Sequence, residues 1–165
     1  MPMQSLHELM LEELRDMLHA EKQLLKALPK MIDAASHAGL RSALHHHLGE
    51  TEDQITNLKA AFKALGERAT SKRCRAMEGI IKEADELLEE AGDIPDAVLD
   101  AAIIGMAQKV EHYEIASYGS ILAYSQLMGH EAVTKLVQEI LAQEENADKT
   151  LSGLAESEIN SMAMA

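Results

Sequence analysis

Tryptophan is absent from the chain, and phenylalanine and cysteine occur once each. The lone cysteine, Cys74, excludes an internal disulfide and any zinc or iron–sulfur site built from several thiolates. It fits a reducing compartment, and the cytoplasm is the expected location. Positive charge is also scarce, with 15 Lys and Arg against 28 Asp and Glu and a net charge of −13. A surface of that sign repels phosphate, which excludes nucleic acid and anionic membrane as expected partners. No long uncharged apolar run is present, and the stretch leading to Leu11 has neither a basic start nor an apolar core. Neither a membrane span nor an export leader is therefore expected. Gly-rich phosphate loops, nucleophile elbows and Cys-x-x-Cys pairs are missing too, leaving nucleotide-driven, hydrolytic and thioredoxin-type chemistry unsupported. What remains is rich in Ala, Leu, Glu, Met and Lys, with only three prolines. These are helix formers, and they predict an all-α class. A chain of 165 residues is long enough to bury one continuous core, so a single domain over 1–165 is expected.

Apolar periodicity divides the chain into four long helices and a shorter one. Met10, Leu14, Met17, Leu24, Leu28, Met31 and Ala35 follow a 4-3 spacing whose missing beat is Glu21. They predict a helix over about 3–37, with Pro29 removing one backbone hydrogen bond and kinking it. Leu44, Leu48, Thr51, Ile55, Leu58, Phe62 and Leu65 predict a second helix over 40–65, closed by Gly66. The connection over 67–93 carries a short amphipathic helix at 76–90 and is long enough to cross the height of a bundle. Pro95 opens a third long helix over 95–128, with the seam Leu99, Ile103, Met106, Val110, Glu114, Ser117, Ile121, Tyr124 and Met128 before Gly129. Val133, Val137, Ile140, Glu144, Ala147, Leu151 and Leu154 predict the last over 130–157, beyond which small residues should fray. Two hairpins joined by a long crossover make a four-helix bundle.

Three of the four seams place a carboxylate near their middle: Glu21, Glu114 and Glu144. The second helix has small Thr51 at that height, beside Glu50 and Gln54. Glu21 and Glu50 are separated by nearly the same number of residues as Glu114 and Glu144, as two facing hairpins related by a pseudo-twofold axis require. Neighbouring buried carboxylates cannot all stay ionised without a cation, and each costs several kcal/mol to desolvate. A pair of divalent metals relieves both costs. Oxygen-rich ligation suits iron or manganese over metals that prefer thiolate. The competing reading is a partly solvated seam whose Glu side chains reach outward or pair with Lys.

At these positions the sequence resembles the ferritin-like superfamily, and in particular the bacterial YciF-type family of stress-associated proteins. The similarity is carried by Leu14 to Leu24, by Glu50-Thr51 with Gln54, by Lys72 to Met77, by Val110 to Tyr118, and by Glu144-Glu145 with Asp148. The resemblance implies a ferritin-like fold, a homodimer and a role in oxidative or osmotic stress. The superfamily usually presents Glu on the first helix, Glu-x-x-His on the second, one or two Glu on the third and Glu-x-x-His on the fourth. Glu111-x-x-Glu114 matches the third element. Both histidines are replaced, in Glu50-x-x-Asp53 and Glu145-x-x-Asp148, while an alternative i,i+4 reading pairs Glu50 with Gln54 and Glu144 with Asp148. Seam phase favours Glu144 over Glu145, which is turned about 100° away. The expected ligands for two Fe or Mn ions are Glu21, Glu50, Glu111, Glu114, Glu144 and Asp148, with Gln54 close by. If there is turnover, peroxide or dioxygen is the expected small oxidant. Iron storage in a cage and a metal-free dimeric stress or interaction protein are the alternatives.

Other features attract structural readings. His45-His46-His47 cannot converge on one ion, because consecutive helical residues point about 100° apart, and the run is expected on a surface or helix flank. His112 stands outside the expected ligands. Tyr113, Tyr118 and Tyr124 are expected to pack in the core or an interface, with a hydrogen bond to a metal ligand as the alternative. The seam methionines fill space. Cys74 has basic neighbours Lys72, Arg73 and Arg75 that would lower its pKa, though a structural position is the expectation.

Overall fold

The computed structural model describes residues 3–165, and among these the chain is helical with no strand. Residues 1 and 2 of the expected 1–165 span lie outside the described residues. Helix α1 spans Leu6–Ala34. Ser5 caps it by accepting from the Glu8 amide, while the Glu8 carboxylate accepts from the Gln4 amide. Pro29 does not interrupt α1, because its ring faces solvent and the rest of the turn stays hydrogen-bonded. The expected boundary at 37 moves back to Ala34.

Helix α2 spans Ala38–Ala64 and α3 spans Arg75–Glu89. One 3₁₀ turn, Ala91–Asp93, leads through Pro95 into α4, Asp96–Leu127. Helix α5 spans Glu131–Leu154. Helices α2 and α4 end alike. Gly66 and Gly129 both have φ of 71°, a conformation that suits glycine. Each donates to the carbonyl three residues back, while the next residue donates five back, from Glu67 to Phe62 and from His130 to Ser125.

The tail does not fray as expected. A π-helical turn, Ala155–Ile159, continues into α6, Asn160–Ala163. Ala155 and Ile159 are buried in line with Leu151, so the wide turn keeps the apolar row facing the core where an unbroken α-helix would carry it round the axis.

Helix α1 packs on α2 and α4, and α5 packs on the same two, closing a cycle of four. Hydrogen bonds fix the directions. Asn57 reaches Glu139 while His37 reaches Glu158, so α2 and α5 are antiparallel. Tyr113 reaches Asp16 while Asp100 reaches Ser36, so α1 and α4 are antiparallel. Helices α2 and α4 therefore run the same way, and the chain between them must climb the full height. It does so along α1 and α4, held by the Lys72 amide on the Arg15 carbonyl and by Lys72 Nζ on Glu12 at 2.8 Å. No described helix is long and apolar enough to cross a membrane.

The α1–α2 turn depends on a side chain from across the core. Asp100, buried on α4, accepts from the Ser36 amide at 2.8 Å and the His37 amide at 2.9 Å. Asp100→Ala strands two amides at a helix junction and should lower stability by about 2–3 kcal/mol. Asp100→Asn, which keeps one acceptor, should lose less; the comparison is read from urea unfolding midpoints by circular dichroism.

Candidate metal centre

The apolar rows of α1, α2, α4 and α5 are each interrupted at one level. Glu21 from α1, Glu111 and Glu114 from α4 and Glu144 from α5 are all buried there. Above and below them lie Leu14, Met17, Leu24, Val110, Ile121, Val137, Ile140 and Leu151, all buried and apolar. Water is thus excluded along the bundle axis on both sides of the polar layer.

Helix α2 contributes a residue the sequence reading assigned elsewhere. His45 and His46 are exposed as expected, but His47 is only 4% exposed and faces the carboxylates. The buried row of α2 runs Leu40, Leu44, His47, Thr51, Gln54 and Leu58, a 4-3-4-3-4 series that passes through His47 and Gln54 and leaves Leu48 to one side. Three consecutive histidines cannot converge on one ion, but one of them can point inward while the others face solvent. Imidazole is therefore not lost from the layer. It comes from the turn before Glu50, as His47-x-x-Glu50, where the superfamily pattern has it one turn after.

One ligand atom from each of His47, Glu111, Glu114 and Glu144 lies within 4.8 Å of all the others. Oxygen and imidazole donors bind divalent metals at roughly 2.0–2.2 Å, so donors on opposite sides of one ion stand roughly 4.3 Å apart. The four converge on a volume the size of an ion. His47 Nε2 is 3.1 Å from Glu111 Oε1, and His47 Nδ1 is 3.5 Å from Glu50 Oε2, but neither ring nitrogen is in hydrogen-bond geometry. Both oxygens of Glu114 lack a partner, as does one oxygen each of Glu21, Glu50, Glu111 and Glu144. Among the described residues, the buried side-chain polar atoms without partners are all in this layer except Arg15 Nε. A buried polar group left unpaired costs about 1–3 kcal/mol, so their concentration at one level calls for a missing partner.

The remaining expected residues divide. Glu21 accepts a hydrogen bond from the Tyr118 hydroxyl, and Tyr118 is fully buried. The inward face of α4 thus passes through Tyr118 and Ser125 in place of Ser117 and Tyr124. Gln54 donates to Glu144 Oε1 at 2.5 Å and to Gln143 at 3.1 Å. Glu145 and Asp53 face solvent, which leaves Glu144 and Gln54 as the inward members of the two pairs. Glu50 stands at the edge, between His46 at 3.2 Å and His47. Asp148 is turned outward, accepting from Gln108 at 3.1 Å and lying 3.2 Å from exposed His112. It shares a helix face with Glu144 but lies one turn along α5, where Gln108 and His112 take up its carboxylate.

Next to Glu114 in the chain and turned about 100° from it, Tyr113 donates to Asp16 Oδ2 at 2.7 Å and lies 3.2 Å from Cys74 Sγ. The thiol is buried and caps α3 by accepting from the Met77 amide. Burial and the nearby Asp16 push its pKa up, overriding the basic neighbours in the sequence, whose side chains face solvent. Cys74 fastens the crossover.

These features place the chain among known proteins. The family model described as Domain of unknown function (DUF892) matches residues 5–164. The chain belongs to the DUF892 family. It is 38% identical to Protein YciF of Escherichia coli over 99% of this chain and 98% of that protein. The crystal structure described as that of the E. coli stress protein YciF superposes with a TM-score of 0.90, covering 96% of this chain and 99% of that one. YcfI from Rhodopseudomonas palustris, for which a structural role has been suggested, is 44% identical with a TM-score of 0.85 over 90% of this chain and 94% of that one. A protein from Xanthomonas campestris, at 18% identity and a TM-score of 0.74, shares the fold of the DUF892 chain over 97% of each.

Electrostatics make the layer sensitive to pH. Burial, reinforced by the nearby Glu144 carboxylate, pushes Glu21 up to about 8. Burial also pushes Glu111 and Glu114 well above the usual carboxylate range. Burial opposes charging of His47, but Glu50, Glu144 and Glu21 outweigh it and hold the imidazole above its ordinary value. All four groups bind protons more tightly folded than unfolded, so their stabilisation is present at low pH and lost as pH rises through the folded values. For Glu21 that window runs from the ordinary 4.5 to about 8. Chelator-treated protein should therefore have a lower urea midpoint at pH 8.5 than at pH 5.5, and Glu114→Gln should flatten the difference.

Proposed function

We propose that this chain is a ferritin-like four-helix-bundle protein that holds two divalent iron or manganese ions in its buried layer, with the α2–α4 crossover and its short helix closing one side. The observation that carries the reading is Glu114: both its oxygens are buried without a hydrogen-bond partner, and one of them lies within 4.8 Å of a ligand atom from each of His47, Glu111 and Glu144. Charge supports the number two. Glu21, Glu111, Glu114 and Glu144 bring four negative charges when ionised, and two divalent ions neutralise them. His47, Glu111, Glu114 and Glu144 would hold one ion, and Glu21 would help to hold the other.

A bound pair of redox-active ions would supply binding and reduction of peroxide or dioxygen. The chain's own part is to exclude water, to orient Glu144 through Gln54 and Glu21 through Tyr118, and to provide in His47 an imidazole among carboxylates. Such neighbours tune metal affinity and potential. The likeness to a stress protein extends the reading to a cytoplasmic role in oxidative or osmotic stress, with two copies forming a homodimer. A second reading has a specific observation behind it. Glu21, Glu111 and Glu114 hold protons tightly, and a protonated, metal-free layer would suit a structural or interaction protein.

Elemental analysis of protein expressed without a histidine tag, in cells supplied with iron and manganese, separates the two. The metal reading expects about two ions per chain and their loss in a Glu114→Ala/Glu144→Ala variant. It also expects the metal to raise the melting temperature of the parent protein, since a ligand of the folded state alone stabilises it. Trace metal that is unchanged in the variant would favour the metal-free reading, and a solution mass far above two chains would favour a storage cage.

A further inference from the structure

The buried layer is not closed on every side. Between α2 and α5 a narrow cleft of about 30 Å³ runs inward, lined by His46, His47, Glu50 and Glu111 and flanked by Ala147 and Thr150. That is room for roughly two to three waters, since one needs roughly 10–15 Å³. Potential ligands along it descend in exposure without a gap. His46 is 72% exposed and lies 3.2 Å from Glu50 Oε1, and the Glu50 side chain is 12% exposed. Glu50 Oε2 lies 3.5 Å from His47 Nδ1, and His47 Nε2 lies 3.1 Å from Glu111 Oε1; these side chains are 5% and 2% exposed. Both nitrogens of His47 and one oxygen of Glu111 are unpartnered at the inner end.

Neighbouring gaps are bridged. Gln54 and Asn57 tie α2 to α5 on one side of the cleft through Glu144, Gln143 and Glu139. Gln108 ties α4 to α5 through Asp148 and Ser152. Helix α3 lies against α1 and α4. Small Ala147 keeps the α2–α5 gap open, where a longer side chain would fill it.

We propose that a divalent cation reaches the buried layer through this cleft, passed from His46 to Glu50 and then to His47 and Glu111, with Glu50 acting as a transfer ligand and not a resident one. The inference rests on the metal-binding reading. Glu50 suits the role because its two oxygens already face opposite ways, one toward the surface histidine and one toward the buried one. The cleft also sets a condition on the ion. Six waters occupy roughly 180 Å³ as liquid, so a hydrated cation must shed most of its shell, and each step replaces lost water by a nitrogen or carboxylate oxygen. Mg²⁺ gives up water reluctantly, which disfavours its passage relative to Mn²⁺ or Fe²⁺.

Stopped-flow mixing of the metal-free protein with Co²⁺, followed by the visible absorption of the bound ion, tests the route. Glu50→Gln and Ala147→Leu should each slow uptake roughly tenfold, and His46→Ala by a smaller factor. The final Co²⁺ content should match that of the parent, with helix content checked by circular dichroism. His112→Ala, on the α4–α5 side, should load at the parent rate. If Glu50→Gln and Ala147→Leu load as fast as the parent, the route is wrong while the metal site stands. If Glu50→Gln reaches a lower final content, Glu50 is a resident ligand and the transfer role is overturned. If the parent takes up no Co²⁺, the metal-binding reading itself fails and the route with it.

Discussion

Two like charges about 5 Å apart repel by about 3 kcal/mol even at an effective dielectric of 20, and the buried layer brings four carboxyl groups together from three helices. That repulsion, added to the cost of removing each group from water, is the constraint to which the rest of the molecule is fitted. Protons can relieve it, as the upward pKa shifts of Glu21, Glu111 and Glu114 describe. Cations relieve it more completely, because they leave every carboxylate ionised and occupy the lone pairs that protons leave unbonded. The few hydrogen bonds into the layer are donors from neutral side chains, Tyr118 to Glu21 and Gln54 to Glu144. Each orients one oxygen and leaves the other free.

Holding that layer level demands that four helices keep their register, and much of the periphery serves this. The α1–α2 turn is pinned by Asp100 from α4, a contact between opposite hairpins. The crossover is pinned by Cys74, Tyr113 and Asp16, which join three segments of the chain beside the layer. His19 accepts from the Cys74 amide on the same side. Loosening any of these would let one helix slide by a fraction of a turn, and a shift of 1.5 Å per residue is enough to part side chains whose donor atoms lie within 4.8 Å of one another.

The rows Met10 to Ala35 on α1 and Val133 to Leu151 on α5 were legible because a carboxylate in an apolar 4-3 series is a break in a strong pattern. Glu21 and Glu144 stood out for that reason, and Glu114 likewise. Helix α2 was harder. Apolar Leu48 and Ile55 stand next to His47 and Gln54, so an apolar count passes over both inward polar residues, and three adjacent histidines hide the single one that counts. The signal was available in the 3-4 spacing that joins Leu44, His47, Thr51, Gln54 and Leu58. Tyr118 was displaced in the same way by neighbouring Ser117. Asp100 and Asp148 illustrate a different limit: one caps a turn on another helix and the other pairs with a surface histidine, and neither partnership leaves a trace in local spacing.

The position of His47 has a consequence for the layer as a whole. An imidazole one turn after Glu50 would fall toward Asp53, on the exposed face of α2. One turn before, it stands at the inner end of the α2–α5 cleft. The layer is therefore unsymmetrical despite the paired hairpins. Its His47 side is reached from solvent through Glu50, while its Glu21 side is closed by the fully buried Tyr118 ring. Its two sides are not equivalent, since His47 stands beside the half-buried Glu50 at the cleft and Glu21 stands in a dry pocket. Replacing the whole layer by well-packed apolar residues would be neutral or stabilising by general experience with buried charge. That this chain instead keeps four carboxylates and an open cleft beside them is easier to reconcile with a bound cation than with a purely architectural core.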